Sequence, residues 1–238
     1  MRDYSKLKEF LKGIDYDISE DKISKLDKYY EMLIEKNRVM NLTAITDFED
    51  VVEKHFIDSL AILAFTDFES INSFIDVGTG AGFPGIPLKI MFPHTKAVLI
   101  DSLGKRIGFL NEVKETLGLN DIELIHTRSE DIAHNDNYRE KFDLCVSRAV
   151  ASINVLSEYC IPFVKTGGFF VPYKSENYSE EIKMAENALN ILGGKITDEK
   201  VYLLGKEKAK RIFPIITKVN STPVKYPRKA GVPNKKPL

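Results

Sequence analysis

Residues 74–88, FIDVGTGAGFPGIPL, constrain the fold of this chain more than any other stretch. An apolar run ends in glycines at 78, 80, 82 and 85, with Pro84 and Pro87 among the residues that lead into the next element. A turn of this kind joins a strand to a helix and gathers backbone N–H groups and a helix N-terminus at one point. Glycines are needed there because side chains would block a ligand and because some positions require positive φ. Pro84 suits an early helical position, where a missing N–H costs little, and Pro87 must then fall in the first turn.

The texture around the turn supports an α/β reading. SFIDV (73–77), KAVLID (96–101), IELIHT (122–127), FDLCVS (142–147) and GGFFVPY (167–173) are short apolar runs, most of them separated by stretches long enough for helices. That alternation predicts a mostly parallel sheet covered on both faces. After the helical stretch 180–192, KVYLL and RIFPIITKV follow one another, so an antiparallel hairpin is expected to close the sheet. Upstream, Ile23, Leu26, Tyr30, Leu33 and Ile34 recur at helical spacing behind Ser19, a fitting N-cap. Thr46-x-x-Glu49 opens a second helix with apolar face Val52, Phe56, Leu60 and Leu63. The expected organisation is a helical extension over 1–70, a Rossmann-like domain over 71–220 and a tail over 221–238. With three prolines and a glycine in 225–238, the tail reads as extended loop.

Asp101, at the end of the second strand, lies 23 positions after Gly78. In doubly wound folds that place faces the glycine turn, and a carboxylate there accepts hydrogen bonds from ribose hydroxyls. It could instead cap the next helix; the glycines favour ribose, and hence an adenosine-containing ligand. Gly80-x-Gly82-x-x-Gly85 fits a dinucleotide pattern, and with it a nicotinamide-dependent oxidoreductase (NAD or NADP). However, the strand ends at Val77, so Gly78 is the first turn residue and Phe83 stands where the third dinucleotide glycine belongs. A bulky residue there suits S-adenosylmethionine, which has no pyrophosphate. No Gly-Lys-Ser/Thr follows, which excludes a P-loop.

These residues resemble the RsmG (GidB) family, guanine-N7 methyltransferases of 16S ribosomal RNA. The resemblance spans about 41–238 and is carried by NLTAI (41–45), KHFIDSL (54–60), DVGTGAGFPGIPL (76–88), DSLGKRIGFL (101–110), SRAVA (147–151) and KYPRKAGVPNKKPL (225–238). Lys54 departs from the arginine expected before the histidine; the charge is kept and a bidentate donor lost. The resemblance implies a class I methyltransferase fold, with a seven-stranded sheet, and S-adenosylmethionine as donor. It implies cofactor contacts at Gly78, Gly80, Phe83, Asp101, Ser102, Leu103, Ser129, Glu130 and Arg148. The implied partner is 16S rRNA, within the small subunit or an assembly intermediate, with no protein partner evident. A non-catalytic RNA-binding factor that kept the fold is the remaining alternative.

N7 of guanine carries an available lone pair, so no proton leaves before attack, and catalysis is mostly positioning. The sequence accordingly shows no acid–base dyad at the turn. Arg148 is expected on a cofactor carboxylate or an RNA phosphate, since a guanidinium against a base becoming cationic would be unfavourable. His55, with Asp58 and Ser59 at i+3 and i+4, reads first as a hydrogen-bonded histidine beside an apolar helix face, and second as a residue facing RNA. From Lys195 onward there are 12 Lys/Arg against three acids, although the whole chain carries a net charge of −1. Such a basic end points to a polyanion or to a solvated surface. Lys225, Arg228, Lys229, Lys235 and Lys236, with Tyr226 among them, are the RNA candidates, and Lys54, Arg38, Lys105 and Arg106 could extend the patch.

Cys145 and Cys160 form neither a disulfide framework nor a zinc spacing, and the histidines suggest no metal site. The sequence has no run of about 18 apolar residues to span a membrane. Its N-terminus bears acids and lysines where a signal peptide is apolar. A cytoplasmic location is expected.

Overall fold

In the computed structural model, which describes residues 2–148, 151–175, 178–205 and 208–238, the apolar runs pair into one mixed sheet. Its strands are β1 (Ser73–Val77), β2 (Lys96–Asp101), β3 (Ile122–His126), β4 (Phe142–Arg148), β5 (Val164–Tyr173), β6 (Gly194–Leu204) and β7 (Ala209–Lys218). Their order is β3-β2-β1-β4-β5-β7-β6. β1 to β5 are parallel, and β7 runs antiparallel to both β5 and β6. The parallel sheet and the closing hairpin expected from the sequence are therefore both present. From β1 the chain moves outward through β2 to β3, then returns to lay β4 on the other side of β1. That reversal opens a crevice between the C-terminal ends of β1 and β4, where open α/β sheets bind ligands.

The strands divide their side chains between two apolar clusters, because successive residues point to opposite faces. Phe74, Leu99, Leu144 and Val146 join one, while Ile75, Val77, Val98, Ile100 and Cys145 join the other. The first cluster also takes in the leading helices α1 (Ser5–Lys12) and α2 (Glu20–Met40) through Leu7, Leu11, Leu26, Tyr29 and Leu33. Ser19 caps α2 as expected, accepting from the Lys22 N–H. The buried aromatic of α2 is Tyr29, not Tyr30, which is only half-buried.

A continuous helical run follows: α3 (Phe48–Val51), a π-turn over Val52–Ile57, α4 (Asp58–Leu60) and a 3-10 turn over Ala61–Ala64. Its cap is Asp47, which accepts from the Asp50 N–H, rather than Thr46. The carboxylate one residue on reaches the free N–H of the first turn. Val52, Phe56, Leu60 and Leu63 are all buried. The covering helices are α5 (Gly85–Met91), α6 (Gly104–Leu117), α7 (Ser129–Ile132), α8 (Ile153–Cys160) and α9 (Tyr178–Leu192). Residues 149–150 of the SRAVA motif lie outside the described residues.

The tail departs from the expected extended loop. It contains a short helix, α10 (Val232–Lys235), and polar contacts pin it to the domain. The Arg139 guanidinium donates to the Thr222 carbonyl (2.8 Å) and the Tyr226 carbonyl (2.9 Å). Lys218 is fully buried and donates to Ile161 O and Thr222 Oγ1, with Glu140 as its counter-ion at 3.0 Å. Arg228 grips the buried Glu158 carboxylate through Nε (2.9 Å) and a terminal nitrogen (2.6 Å). The Arg228 charge is thus matched inside the protein, whereas Lys225, Lys229, Lys235 and Lys236 of the same tail are exposed. A local sequence reading could not find that partner, 70 residues away.

Removing one member of a buried ion pair strands the other charge. Arg228→Ala is therefore expected to lower stability by about 3 kcal/mol. Urea unfolding should show a lower midpoint with the slope little changed, whereas Lys229→Ala should leave the midpoint in place.

Candidate active site

The crevice is built on the glycine turn. Gly78 and Thr79 N–H groups both donate to the Ile100 carbonyl (3.0 and 3.1 Å), fastening the turn to the end of β2. Gly82 sits at φ +107°, and a Cβ there would lie 2.6 Å from Ile86, 2.7 Å from the Tyr29 hydroxyl and 2.8 Å from Leu110. No other residue fits. Gly80, in contrast, meets nothing within 4 Å where its Cβ would be, so its bare backbone faces open space. Pro84 caps α5 and does not lie within it, following a cis Phe83–Pro84 bond, and Pro87 falls in the first turn as required.

Two buried groups hold the turn from below and behind. Asp76 Oδ2 accepts from the Thr79 hydroxyl (2.7 Å) and from the Gly85 N–H (2.9 Å), while Oδ1 has no partner among the described residues. Burial pushes its carboxyl up to about 7. From α2, the Tyr29 hydroxyl donates to the Ala81 carbonyl at 2.5 Å. Neither residue was singled out from the sequence. Asp76 sits in the quoted motif and Tyr29 one position from the residue assigned to the apolar face, but their burial comes only from the tertiary fold.

A cavity of about 390 Å³ opens over the turn, and Gly78, Gly80, Phe83, Asp101, Ser102 and Arg148 all line it. Thr43 and His55 join them from elements distant in sequence, and Arg106 from the first turn of α6. Asp101 is almost fully buried: Oδ2 accepts from Gly80 N–H (2.9 Å) and from Arg106 (3.2 Å), and Oδ1 from Leu103 N–H (2.8 Å). It thus ties the glycine turn to the start of α6, in keeping with the capping reading of this acid, and lines the cavity. Leu103 contributes that N–H but lines neither this cavity nor its neighbours, and its side chain is exposed. His126 supports the same loop through a contact to the Ser102 carbonyl (3.1 Å).

A smaller cavity of about 180 Å³ continues past Gly78, Asp101 and Ser102 to Ser129, Glu130 and Tyr159. The Ser129 hydroxyl donates to the Tyr159 carbonyl, and Glu130 accepts the Gly231 N–H of the tail at 3.0 Å. On the opposite side, a third cavity of about 530 Å³ shares His55 and Arg148 with the first. Lys54, Asp58, Tyr173, Lys174, Glu181 and Arg211 complete most of its wall.

The shared wall is an ionic cluster. Asp58, buried in the π-turn run, accepts from Arg148 (2.9 Å) and from Arg211 Nε (2.7 Å), leaving one net positive charge toward the cavities. The Arg148 guanidinium also lies 5.1 Å over the Phe83 ring. His55 stacks on the same ring, with centroids 4.5 Å apart. Its Nε2 accepts from the Thr43 hydroxyl (2.8 Å), whose oxygen in turn accepts from the Ile45 N–H (3.0 Å). This network assigns the proton to Nδ1, which donates to the Lys54 carbonyl (3.0 Å). Burial, reinforced by the Arg148 charge, pushes the His55 imidazole down to about 4. It is neutral and hydrogen-bonded, as the structural expectation had it, yet it faces both cavities. Of the proposed RNA contacts, Lys54 lines the third cavity and pairs with Asp50 (2.9 Å), while Lys225, Lys229, Lys235 and Lys236 are exposed on the tail. Arg106 reaches the first cavity; Arg38 and Lys105 line none of these three.

The donor set fits S-adenosylmethionine. A bare glycine backbone faces open space, a carboxylate stands opposite for a ribose diol, and a net positive cluster can meet the carboxylate of a methionine moiety. A dinucleotide fits poorly, because Phe83 packs its ring among Tyr29, Phe56 and His55 where a third glycine would stand. Among the described residues no His, Cys, Asp or Glu cluster could hold a metal ion, and no helix is long and apolar enough to cross a membrane.

Comparison with known proteins points the same way. An O-methyltransferase from Bacillus cereus, solved in complex with SAH, superposes with a TM-score of 0.56 at 14% identity, covering 80% of this chain and 91% of that one. At that identity the likeness shows the fold. Fold and site together define a class I S-adenosylmethionine-dependent methyltransferase. The family described as rRNA small subunit methyltransferase G, or GidB, matches residues 22–210, and the chain belongs to it. Ribosomal RNA small subunit methyltransferase G of Alkaliphilus metalliredigens is 46% identical, covering 98% of this chain and 97% of its own length. That of Exiguobacterium sp. is 48% identical, covering 97% of each. The oxidoreductase and the non-catalytic factor, both compatible with part of the sequence, are set aside by this membership.

Two predictions follow from the supports of the turn. Tyr29→Phe leaves the Ala81 carbonyl unsatisfied in the interior, which costs about 1–3 kcal/mol. Calorimetry should find S-adenosylhomocysteine bound about tenfold more weakly, while Tyr30→Phe binds as wild type. The second concerns pH. His55, held down to about 4, binds its proton more readily unfolded, so its component of stability is full above about 6.5 and lost as pH falls toward 4. Asp76, raised to about 7, has the opposite component: stability falls as pH rises from about 4 to 7. In denaturant unfolding across that window, His55→Gln should lose stability relative to wild type as pH rises. Asp76→Asn should gain it.

Proposed function

We propose that this enzyme methylates N7 of a guanine in 16S rRNA, with S-adenosylmethionine as donor. The observation that carries the reading is kinship along nearly the whole chain, and in one relative along all of it, with proteins named for small-subunit rRNA methylation. When bound, the cofactor supplies an electrophilic methyl on a sulfonium centre. The chain's own task is then to hold and orient. Gly78 and Gly80 permit close approach of the ligand, Asp101 accepts from its ribose, and Ser129 and Glu130 flank the adenine end. Arg148, kept in place by Asp58 and Phe83, offers positive charge to a carboxylate or a phosphate.

Guanine N7 brings a lone pair and no proton, so no general base is required. His55 agrees with this, since its Nδ1–H and Nε2 are both engaged and burial keeps it neutral. Its role is to wall the passage between the two cavities. The third cavity, on the far side of His55 and Arg148, is the place for the target nucleotide. Lys54, Lys225, Lys229, Lys235 and Lys236 are the phosphate contacts in this reading, and Ser102 and Leu103 complete the loop beside the ribose. The substrate is the small ribosomal subunit or an assembly intermediate, and the cytoplasm is the implied compartment.

Incubation with 16S rRNA or small subunits and labelled cofactor should place a single methyl that sensitises the chain to cleavage by borohydride and aniline, the signature of N7-methylguanine. Label without that signature would refute the N7 assignment. Replacing Lys229, Lys235 and Lys236 by alanine should reduce the slope of log affinity against log salt for RNA by about 2. S-adenosylhomocysteine binding should not change.

A further inference from the structure

We infer that Lys174 and Glu181 together read the base edge of the target, making the third cavity selective for guanine over adenine. The inference rests on the substrate reading above and names residues that it leaves unassigned. Both side chains line the third cavity and not the first, so they face a nucleotide from the side away from the cofactor.

Lys174 is rigidly held. It follows β5 and exchanges two backbone hydrogen bonds with Ile212 of β7, each 2.9 Å. Its ammonium donates to the Ala151 carbonyl (2.9 Å) and is ion-paired with Glu181 Oε2 (2.7 Å). An ammonium has three N–H bonds, so one donor remains. Glu181, in the first turn of α9, is fixed through the same Oε2, which also accepts the Ile153 N–H at 3.1 Å. Among the described residues nothing donates to its Oε1. The pair thus presents one unused donor beside one unused acceptor oxygen.

Guanine turned with N7 toward the first cavity trails its O6, N1–H and N2–H₂ along this wall. O6 accepts from Lys174, and N1–H and N2–H₂ converge on the one unused oxygen, Oε1 of Glu181. Adenine offers an amino group against the ammonium and a lone pair against the carboxylate, so it is mismatched at both points. Leaving buried polar groups unpaired is what makes such a site discriminate strongly. Asp58, the other carboxylate in the cavity, cannot substitute, because Arg148 and Arg211 occupy both its oxygens.

The test compares guanosine with inosine, which lacks only the 2-amino group, at the mapped methylation position of the RNA. For the wild-type protein kcat/KM should fall at least tenfold with inosine. Glu181→Gln should lower kcat/KM on guanosine by a similar or larger factor, yet show a smaller further loss on inosine, because inosine has already lost one of the two contacts that the variant removes. S-adenosylhomocysteine affinity should stay within twofold of wild type. If Glu181→Gln does not fold, Glu181→Asp, which withdraws the carboxylate by one methylene, should give the same non-additive pattern. Equal rates on guanosine and inosine, or two losses that multiply independently, would overturn the inference while leaving N7 methylation intact. A wild-type protein that places no methyl on N7 of guanine would instead sink the substrate reading, and this inference with it.

Discussion

A fully buried carboxylate under a glycine turn is the constraint on which the rest of this site depends. Asp76 reaches over the turn with a single oxygen, joining Thr79 to the first N–H of α5, and so welds the end of β1 to the start of its helix. Gly85 can sit there because it has no Cβ; one would fall 2.8 Å from that same oxygen. Tyr29 closes the turn from the other side. The leading helices therefore support the glycine turn as well as cover the sheet.

The crevice at the strand reversal is divided into compartments by side chains, not by backbone. Phe83, His55 and Arg148 stack into a partition between the first and third cavities, and Asp58 holds Arg148 and Arg211 in one cluster. Burying this much charge is tolerable because each arginine meets a carboxylate and the remainder faces the cavities. The partition leaves one cavity on each side of His55 and Arg148, and in the proposed function these receive the cofactor and the target nucleotide. That is the layout methyl transfer between two bound molecules requires.

Much of this was legible locally. β1 and β2 fall where SFIDV and KAVLID lie, because strands buried on both faces read as continuous apolar runs. The glycine spacing located the turn, and Gly78, Gly80, Phe83, Asp101, Ser102 and Arg148 line one cavity. Less legible was anything that depends on which neighbour a residue meets. Arg228 looks like a phosphate contact in a lysine-rich tail, and only the fold sets Glu158 against it. Thr46 looks like the cap of its helix, and Asp47 takes the position. Asp58, Lys174, Glu181 and Arg211 are ordinary charged residues in sequence, drawn from four segments that meet only at the third cavity.

The sequence by itself determined the alternation of strands and helices, the glycine turn and its acid, and the basic character of the tail. Each of these depends on residues near one another in the chain, through periodicity, φ preference or local charge. Tertiary structure alone decided which charges are matched, which carboxyl is raised, which histidine stays neutral and which side chains wall each cavity. Those properties follow from burial and from contacts across the sheet, so they exist only once β4 has been laid beside β1 and the leading helices have closed over the turn.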